Sequence, residues 1–427
     1  MEVDSYNSRK TISPSVSPRY HIALGTRKFS PQGVDCILEI KKGGNMDSMS
    51  STGSDIFDDL GLTRVINGRS WVTILGGSRM PPEVQAAMVE AADTFIDYNE
   101  LQIRAGRRIA AHTGAEAGLV VAGAAAGLLV QAAACIAGSD PDRILQLPDT
   151  TGMKNEILIH PNHITGYAGC YKGAGAKLKE WGADEGSLSD QLDASINDNT
   201  AAVAYVFGPT LHCDLPLAEV VNIANSKNIP VIVDAAAMLP PVSNLTKYIV
   251  EGADMVTFSG GKGVRGPQST GILAGRADLV EAARLNMSPH ASVGRAAKVA
   301  KEEIAGLLAA LQRFVSIDHE EEWSTWRKWS EIIINAVNGF DGIQAVIEDG
   351  NPNRQGPTAV LYFEKTWDGA QPIDIQSRLA KGSPSIHVGI GHPNRPNMGE
   401  EISITPVALE EGEAQIVADA LKKELKK

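Results

Sequence analysis

The sequence has few of the residues that build disulfide frameworks and zinc sites. Its 427 residues include four cysteines, Cys36, Cys135, Cys170 and Cys213, which lie far apart and form no C-x-x-C pair. Disulfide-rich and zinc-binding proteins carry cysteines in larger numbers or at short, regular spacings. The pattern therefore indicates free thiols and no metal site, and it favours a protein of the reducing cytoplasm.

Basic charge is also scarce. The formal net charge is −12 and the sequence pI is about 5.3. Proteins that bind nucleic acid neutralise phosphates with clustered lysine and arginine, so an acidic chain argues against a nucleic-acid partner. A local basic patch remains compatible with this balance.

Long apolar runs are limited to residues 117–138, "AGLVVAGAAAGLLVQAAACIAG", which carry no charge. The run is long enough to span a membrane, but alanine and glycine dominate it and it contains Gln131. We interpret it as a buried strand "AGLVVA", a turn at Gly123 and a helix. We therefore expect a soluble protein.

The first 50 residues differ in composition from the rest. "MEVDSYNSRKTISPSVSPRY" is polar and rich in serine, and it has no apolar core of the kind found in signal peptides. The acidic residues Glu2 and Asp4 give a transit peptide little support. We interpret residues 1–50 as a disordered extension, or as the result of a start assigned too early, with Met46 or Met49 as the true start.

The remaining chain alternates strand and helix patterns. Val- and Ile-rich runs such as "AAVAYVF" and "IPVIVD" alternate with helical runs such as "LAEVVNIANSKN". We also expect a helix over Gly173–Gly182, "GAGAKLKEWG". Such alternation predicts an α/β fold with a mostly parallel sheet covered by helices. We assign residues 51–315 to an N-terminal arm and this large domain, and residues 316–427 to a smaller C-terminal α+β domain.

Three features follow predicted strands, at the sheet edge where α/β proteins bind ligands. "VVAGAAAG" turns at Gly123 into a helix that starts with small residues; this start suits a phosphate or, equally, helix packing. Asp234 ends the apolar strand "VIVD", where a carboxylate needs a partner unless it caps the next segment. Lys262 follows the strand "MVTF", and desolvation there would lower its pKa and make it a nucleophile for carbonyls.

Glycines surround Lys262 in "FSGGKGVRGPQSTGIL" (Phe258–Leu273). The stretch is not a P-loop, because the first glycine of the pattern, six residues before the lysine, and the hydroxyl residue after the Gly-Lys pair are both missing. We expect the glycines to leave room for a cofactor ring and a substrate beside Lys262.

A phosphate cradle, a buried aspartate and a lysine are together what pyridoxal 5'-phosphate requires. The phosphate would lie on the helix N-terminus, Asp234 would pair with the ring nitrogen, and Lys262 would form a Schiff base with the aldehyde. Ser259 could add a hydroxyl to the phosphate. The combination is more specific than any one part.

The sequence resembles fold-type I pyridoxal-phosphate enzymes of the aspartate aminotransferase-like fold. Within them it resembles the group of selenocysteine synthase (L-seryl-tRNA selenium transferase) and D-glucosaminate-6-phosphate ammonia-lyase. The resemblance covers roughly residues 55–425. It is carried by "INGRSWVTILGGSRMPPEV" (66–84), "LQIRAGRRIAAHTGAEAGLVVAGAAAG" (101–127), "VIVDAAA", "TFSGGKGVRGPQSTGIL" and "GRAAKVAKEEIAGLLAAL" (294–311).

The resemblance implies roles for individual residues. It implies a catalytic Lys262, a ring-nitrogen partner Asp234 and a ring-stacking residue, for which we choose His163 over a surface-loop role. It also implies phosphate contacts, which we assign to Gly123, Ala124, Ala125, Ala126 and Ser259.

Candidates for reading a substrate anion are Arg69, Arg265 and Arg295, with His387, His392 and Arg395 as further possibilities. Arg295, Lys298 and Lys301 fall at helical spacing, which is equally typical of a solvated helix face. A surface salt bridge explains Arg69 equally well. The pair His212 and Cys213 is interpreted as incidental.

The implied function is a lyase acting on a hydroxy-amino acid or amino-sugar acid, with Cα deprotonation, β-elimination and release of ammonia and a keto acid. Alternatives are transfer to aminoacyl-tRNA as in selenocysteine synthase, or an aldolase or transaminase of the same fold. A regulatory phosphate-binding module is a non-enzyme alternative. Because the fold type builds its sites at a dimer interface, we expect a homodimer or higher homo-oligomer, with "GPQST" near the neighbouring chain.

Overall fold

The computed structural model describes residues 56–208, 211–350, 355–391 and 398–426. The extension predicted for residues 1–50 lies outside them, as do His392 and Arg395. Helix α1 (Ile56–Asp59) belongs to an N-terminal unit that ends at Gly61, and the chain from Leu62 onward forms one compact unit.

Twelve strands are present in the described residues. They are Val65–Gly68 (β1), Ala117–Val121 (β2), Glu156–Ile159 (β3), Lys177–Glu180 (β4), Thr200–Val206 (β5), Val231–Asp234 (β6), Met255–Ser259 (β7), Gly271–Gly275 (β8), Ile343–Glu348 (β9), Thr358–Glu364 (β10), Ser385–Gly391 (β11) and Met398–Ile404 (β12).

The helices that follow α1 cover and connect these strands. They are Pro82–Ala92 (α2), Tyr98–Thr113 (α3), Gly123–Ala137 (α4), Pro141–Gln146 (α5), Gly169–Gly173 (α6), Leu188–Ser195 (α7), Leu217–Ser226 (α8), Asn244–Val250 (α9), Ala277–Leu285 (α10), Lys301–Phe314 (α11), His319–Val337 (α12), Pro372–Ala380 (α13) and Glu413–Leu425 (α14).

The larger sheet has seven strands in the order β2-β8-β7-β6-β5-β3-β4. Strand β8 is antiparallel to β2 and β7, and the pairs from β7 to β4 are parallel. All seven residues of β5 are buried, as expected for a strand that helices cover on both faces. The predicted α/β fold with a mostly parallel sheet is confirmed.

The predicted turn and helix after β2 are present. Helix α4 begins at Gly123, whose φ of +73° lies in the left-handed region that favours glycine. The helix packs along the sheet, where the Gln131 amide donates to the Val233 carbonyl at 3.3 Å. The uncharged run 117–138 is therefore a buried strand and helix, and no helix in the described residues is long and apolar enough to cross a membrane.

The helix predicted for Gly173–Gly182 is wrong. Residues Lys177–Glu180 form edge strand β4, which pairs in parallel with β3. Gly175 has a φ of +90°, and a Cβ on it would lie 2.2 Å from the Pro148 carbonyl oxygen. This conformation interrupts a helix, and the alternating "KLKE" that follows suits a half-exposed strand.

A smaller sheet of five strands has the order β1-β11-β12-β10-β9. Strand β1 pairs in parallel with β11, with Val65 opposite Ser385, and the other pairs are antiparallel. Helices α12 and α14 pack beside this sheet around a second apolar core. The domain boundary at residue 316 stays a prediction. Strand β1, which comes from the predicted N-terminal arm, belongs to this smaller sheet.

Candidate active site

Asp234 is the last residue of β6, in the middle of the larger sheet. Its side chain is buried, with the residue 6% exposed, and its Oδ1 accepts a hydrogen bond of 3.0 Å from the Ala236 N–H. Burial raises the pKa of Asp234, while the Ala236 N–H and the charge of Lys262 oppose that rise. Within the described chain the carboxylate forms no ion pair, so it can take a cationic partner.

Lys262 lies three residues after β7, the strand next to β6. Burial lowers the pKa of its ammonium group, and the charge of Asp234 opposes that change. The structure thus brings the predicted aspartate and lysine to the same sheet edge, close enough for each to affect the other's titration. A lysine with a lowered pKa is a better nucleophile and base near neutral pH.

The glycines around Lys262 pack against protein, contrary to our expectation that they leave space for a ligand. A Cβ on Gly261 would lie 2.3 Å from the Gln268 Cα, and one on Gly263 would lie 2.2 Å from the Leu239 carbonyl oxygen. A Cβ on Gly260 would lie 2.3 Å from the Thr270 Oγ1. The glycines therefore let the Lys262 turn lie flat against its neighbours.

Backbone hydrogen bonds close the Lys262 turn. The Arg265 N–H donates to the Lys262 carbonyl at 2.9 Å, and the Gly266 N–H donates to the Gly260 carbonyl at 2.8 Å. The Ser78 hydroxyl, from the segment after β1, donates to the Gly261 carbonyl at 3.0 Å. The turn is fixed both internally and by the arm.

The first turn of α4 lies at the same edge and has no side-chain cap. Its residues Gly123, Ala124, Ala125 and Ala126 are small and uncharged, and Ala122 at the N-cap provides no acceptor. The first N–H groups of a helix need an outside acceptor, and an anion satisfies them well. The predicted phosphate cradle thus has the geometry that an anion requires.

Ser259 ends β7 and pairs with Gly271 of β8. A Cβ on Gly271 would lie 2.6 Å from the Gly123 carbonyl carbon, so the absence of a side chain there lets β8 approach the start of α4. Ser259 therefore lies one strand away from the start of that helix, and its phosphate contact stays a prediction.

His163 is 2% exposed and belongs to a short 3-10 helix, Pro161–His163, after β3. Its Nδ1 accepts from the Val206 N–H at 3.4 Å, and its ring meets Tyr205 edge-on at 4.6 Å between centroids. Burial, with the nearby His160 and His212, lowers the pKa of His163 to about 4, so the ring is neutral at pH 7. Val206 is the register partner of Asp234, which puts His163 beside the candidate site.

Arg69 follows β1 and is half-buried. Its backbone forms an isolated parallel β-bridge with Thr405. Burial lowers the pKa of His387, and the charge of the nearby Arg69 lowers it further. No ion pair of Arg69 with a described residue is present. The adjacent Ser70 contacts Gln355, whose amide donates to the Ala237 carbonyl at 3.5 Å in the loop after Asp234.

Arg265 and Arg295 do not join Asp234 and Lys262. The Arg265 guanidinium lies 3.3 Å from the Glu322 carboxylate and 5.9 Å from the centroid of Trp326, both on α12. Arg295 is exposed, and α11 begins only at Lys301. The helical spacing predicted for Arg295, Lys298 and Lys301 is therefore wrong, because two of the three precede the helix.

Two buried hydroxyl residues near this edge were missed from the sequence. The Tyr171 hydroxyl has no hydrogen-bond partner in the described structure, and burial together with Asp234 raises its pKa well above 10. The Thr257 Oγ1 also lacks a partner, and Thr257 is the register neighbour of Asp234. Tyr171 lies outside the quoted motifs, and Thr257 lies inside "TFSGGKGVRGPQSTGIL" without a role of its own there, so only the fold identifies them. Among the described residues no His, Cys, Asp or Glu cluster could hold a metal ion.

Comparisons with known proteins show the family of the chain. A family model described as L-seryl-tRNA selenium transferase matches residues 167–327. The 5'-C-glycyluridine monooxygenase-decarboxylase of a Streptomyces species is 30% identical over 78% of this chain and 83% of its own length. The chain belongs to this family of pyridoxal-phosphate-dependent enzymes.

Other members of the family match over different lengths. The D-glucosaminate-6-phosphate ammonia lyase of Salmonella typhimurium is 29% identical over 86% of this chain and 97% of its own length. The L-seryl-tRNA(Sec) selenium transferase of Desulfovibrio desulfuricans is 29% identical over 57% of this chain and 53% of its own length.

Solved structures confirm the fold of the family. A structure of D-glucosaminate-6-phosphate ammonia-lyase superimposes with a TM-score of 0.75 at 28% identity, covering 87% of this chain and 98% of its own. A serine palmitoyltransferase from Sphingomonas wittichii matches with a TM-score of 0.56 at 13% identity, over 85% of this chain and 87% of its own, which indicates a common fold alone.

Proposed function

We propose that the protein is a pyridoxal-phosphate-dependent lyase. Its substrate is a hydroxy-amino acid or amino-sugar acid, and its products are ammonia and a keto acid. The observation that carries the proposal is the meeting, at one sheet edge, of buried Asp234, half-buried Lys262 and the uncapped start of α4. The 29% identity to an ammonia lyase over 86% of the chain supports this branch of the family.

The residues present fit pyridoxal 5'-phosphate. The N–H groups of Gly123 to Ala126, with Ser259, would hold the phosphate, and the Asp234 carboxylate would hold the protonated ring nitrogen. The neutral ring of His163 would pack on the cofactor ring. When bound, the cofactor supplies an electron sink for a negative charge at the substrate Cα.

Lys262 would hold the cofactor and then move the proton. Burial lowers its pKa, which favours the neutral amine that would accept a proton from Cα. The Lys262 ammonium would return this proton to the β-hydroxyl, which would leave as water, and a second water would then replace the nitrogen as the keto acid and ammonia form. The Asp234 carboxylate would keep the ring nitrogen protonated and so maintain the electron sink.

Arg69 is our candidate for the substrate anion, with His387 beside it. Arg69 lies in the segment whose neighbours contact both loops of the site: Ser70 through Gln355, and Ser78 directly at Gly261. A guanidinium without an ion pair suits a carboxylate or phosphate. Arg265 is engaged elsewhere and leaves this role, and the substrate role of Arg295 remains a prediction without a supporting contact.

Reduction with borohydride tests the cofactor assignment. Purified protein should be yellow, and borohydride should bleach it and fix the cofactor on the peptide "FSGGKGVR". Lys262→Ala should abolish this fixation and lower turnover by about a thousandfold or more, because nucleophile and base are lost together. Lys172→Ala is the control, since Lys172 is exposed outside the site. A protein that stays colourless with added cofactor, or labelling at Lys172 or Lys177 alone, would contradict the assignment.

A substrate screen tests the reaction. We expect hydroxy-amino acids or amino-sugar acids to give ammonia and keto acid in equal amounts. The same reactions should be followed for oxygen uptake, since a monooxygenase-decarboxylase is an equally similar relative. Copurified RNA that supports turnover would favour the selenium-transferase alternative.

We further propose a cytoplasmic homodimer or larger homo-oligomer. Three described cysteines are free, which agrees with a reducing compartment. Large apolar side chains are exposed at Ile74 (75%), Val89 (73%) and Phe95 (101%), in the segment around α2. A second chain is the simplest cover for them. A monomer by light scattering that still holds the cofactor would contradict this assembly.

A further inference from the structure

Arg265 has a backbone conformation that needs an explanation. Its φ of +58° places it in the left-handed region, which favours glycine. The chain has glycines close by, at Gly263 and Gly266, but not at this position. A side chain in this region is strained, and it persists where surrounding contacts hold it, often near functional sites.

The side chain is held by two groups of α12. Its guanidinium lies 3.3 Å from the Glu322 carboxylate and above the Trp326 ring. Glu322 is itself placed by Arg313 of α11 at 3.5 Å, and Trp326 packs edge-on against Trp71 of the arm, at 6.2 Å between ring centroids. Arg265 is thus fixed to α12 by groups that are themselves fixed.

The backbone of Arg265 is joined to the candidate catalytic lysine. Its N–H donates to the Lys262 carbonyl at 2.9 Å, and the next N–H, from Gly266, closes the turn on Gly260. A displacement of Arg265 therefore moves the hydrogen bond that ends the Lys262 turn. The side chain itself points to α12, away from the pair Asp234 and Lys262.

We propose that Arg265 is a positioning residue for Lys262. Glu322 and Trp326 clamp the Arg265 side chain, and the backbone of the turn passes this constraint on to Lys262. The inference rests on the proposed role of Lys262. It replaces the expected contact of Arg265 with substrate. The strained conformation of Arg265, held by α12, keeps the Lys262 turn closed and its amine half-buried.

Three variants separate the side chain from the backbone. Arg265→Gly removes the clamp while the backbone adopts its left-handed conformation without strain, so the variant should fold. Glu322→Gln removes the partner charge, and Arg265→Lys keeps a cation without the planar group. Glu331→Gln is the matched control, because Glu331 lies on the same helix and pairs with Arg327 at 3.4 Å, remote from the turn.

The first measurement needs neither cofactor nor substrate. Full-length protein is treated with hydroxylamine to release any bound cofactor, and acylation of Lys262 by an amine reagent is followed against pH by peptide mass. We expect Arg265→Gly and Glu322→Gln to raise the pKa of Lys262 toward its ordinary value, because the turn loosens and exposes the amine. Glu331→Gln should leave the profile unchanged.

The second measurement is steady-state kinetics of the holoenzyme. Arg265→Gly should lower kcat by about tenfold to a hundredfold with little change in KM, the size of effect that small misplacements of a reacting group produce. Arg265→Lys should recover part of this loss. The double variant Arg265→Gly/Glu322→Gln should be no worse than Arg265→Gly alone, because both changes break one clamp.

Two results would overturn the proposal. If thermal stability falls while the Lys262 profile and kcat stay unchanged, the clamp is structural only. If Arg265→Gly raises KM while kcat is retained, and Glu322→Gln leaves KM unchanged, Arg265 binds the substrate. Absence of lyase activity in the unaltered protein would refute the proposed function and leave the acylation result to decide the role of Arg265.

Discussion

The two halves of the candidate site differ in whether they contain charged side chains. One half carries two charged groups, buried Asp234 at the end of β6 and half-buried Lys262 on a turn packed against neighbouring backbone. The other half is the start of α4, which carries only backbone N–H groups and small side chains. Burying charge costs stability and shifts pKa values, whereas uncapped N–H groups bind an anion at little cost. We expect the first half to supply reactivity and the second to supply binding.

Among changes to the charged half that keep Lys262, the largest effect is expected at Asp234. Asp234→Ala should fold, because it removes a buried charge and no large packing group, yet turnover should fall by about a hundredfold to a thousandfold. Steady-state kinetics with circular dichroism as the folding check would measure this. Turnover close to that of the unaltered enzyme would show that the carboxylate only caps the Ala236 N–H.

The packing of the charged half can be tested at Gly261. A Cβ there would lie 2.3 Å from the Gln268 Cα, a backbone atom that cannot move aside alone. Gly261→Ala should lower the free energy of unfolding by about 1–3 kcal/mol. Gly166→Ala is the control, because nothing lies within 4 Å of its Cβ position. Equal urea midpoints for the two variants would mean that the Lys262 turn has room to spare.

A charge added to the bare half should act in opposite directions on stability and binding. Ala125 is exposed in the first turn of α4, where a carboxylate favours the helix dipole. Ala125→Asp should stabilise the cofactor-free protein by about 0.3–1 kcal/mol and weaken cofactor binding by repelling its phosphate. Ala125→Asn separates charge from size. Unchanged cofactor affinity in Ala125→Asp, measured by absorbance titration, would place the phosphate elsewhere.

The smallest expected effect is a pH dependence of stability due to Lys262. Burial lowers its pKa below the ordinary value of 10.5, so unfolding takes up a proton at pH values between the two. Stability of the cofactor-free protein should therefore rise with pH in that window, since the unfolded chain binds more protons. Lys262→Met should flatten this rise in urea titrations. Parallel curves for the two proteins would mean that Lys262 titrates as an exposed lysine.

The sequence was informative where a motif is local and continuous. The strand, turn and helix over 117–138, and the placement of Asp234 and Lys262 after neighbouring strands, follow from apolar runs that end at glycine or at a charged residue. Strand order brought these separate motifs together, and general rules for parallel sheets anticipate the shared edge.

The sequence was misleading where a long-range contact decides the outcome. "GAGAKLKEWG" has helix-forming residues, but the packing of Gly175 on Pro148 and the pairing with β3 make it a strand. Arg265 lies near Lys262 in sequence, yet its left-handed backbone turns the side chain to Glu322. Neither contact leaves a local signal. The glycines beside Lys262 likewise suggested space for a ligand, but residues distant in sequence occupy that space.

The pairing of β1 with β11 has a consequence for biosynthesis. Val65 cannot pair until Ser385 has been synthesised, and at ordinary synthesis rates the interval between the two residues is on the order of tens of seconds. During this time the larger sheet can form, because all its strands lie between Ala117 and Gly275. We therefore expect the smaller sheet to close only near the end of translation. Ribosome-bound chains that stop before Ser385 should show Val65–Gly68 open to protease, and protection there at that length would refute this order.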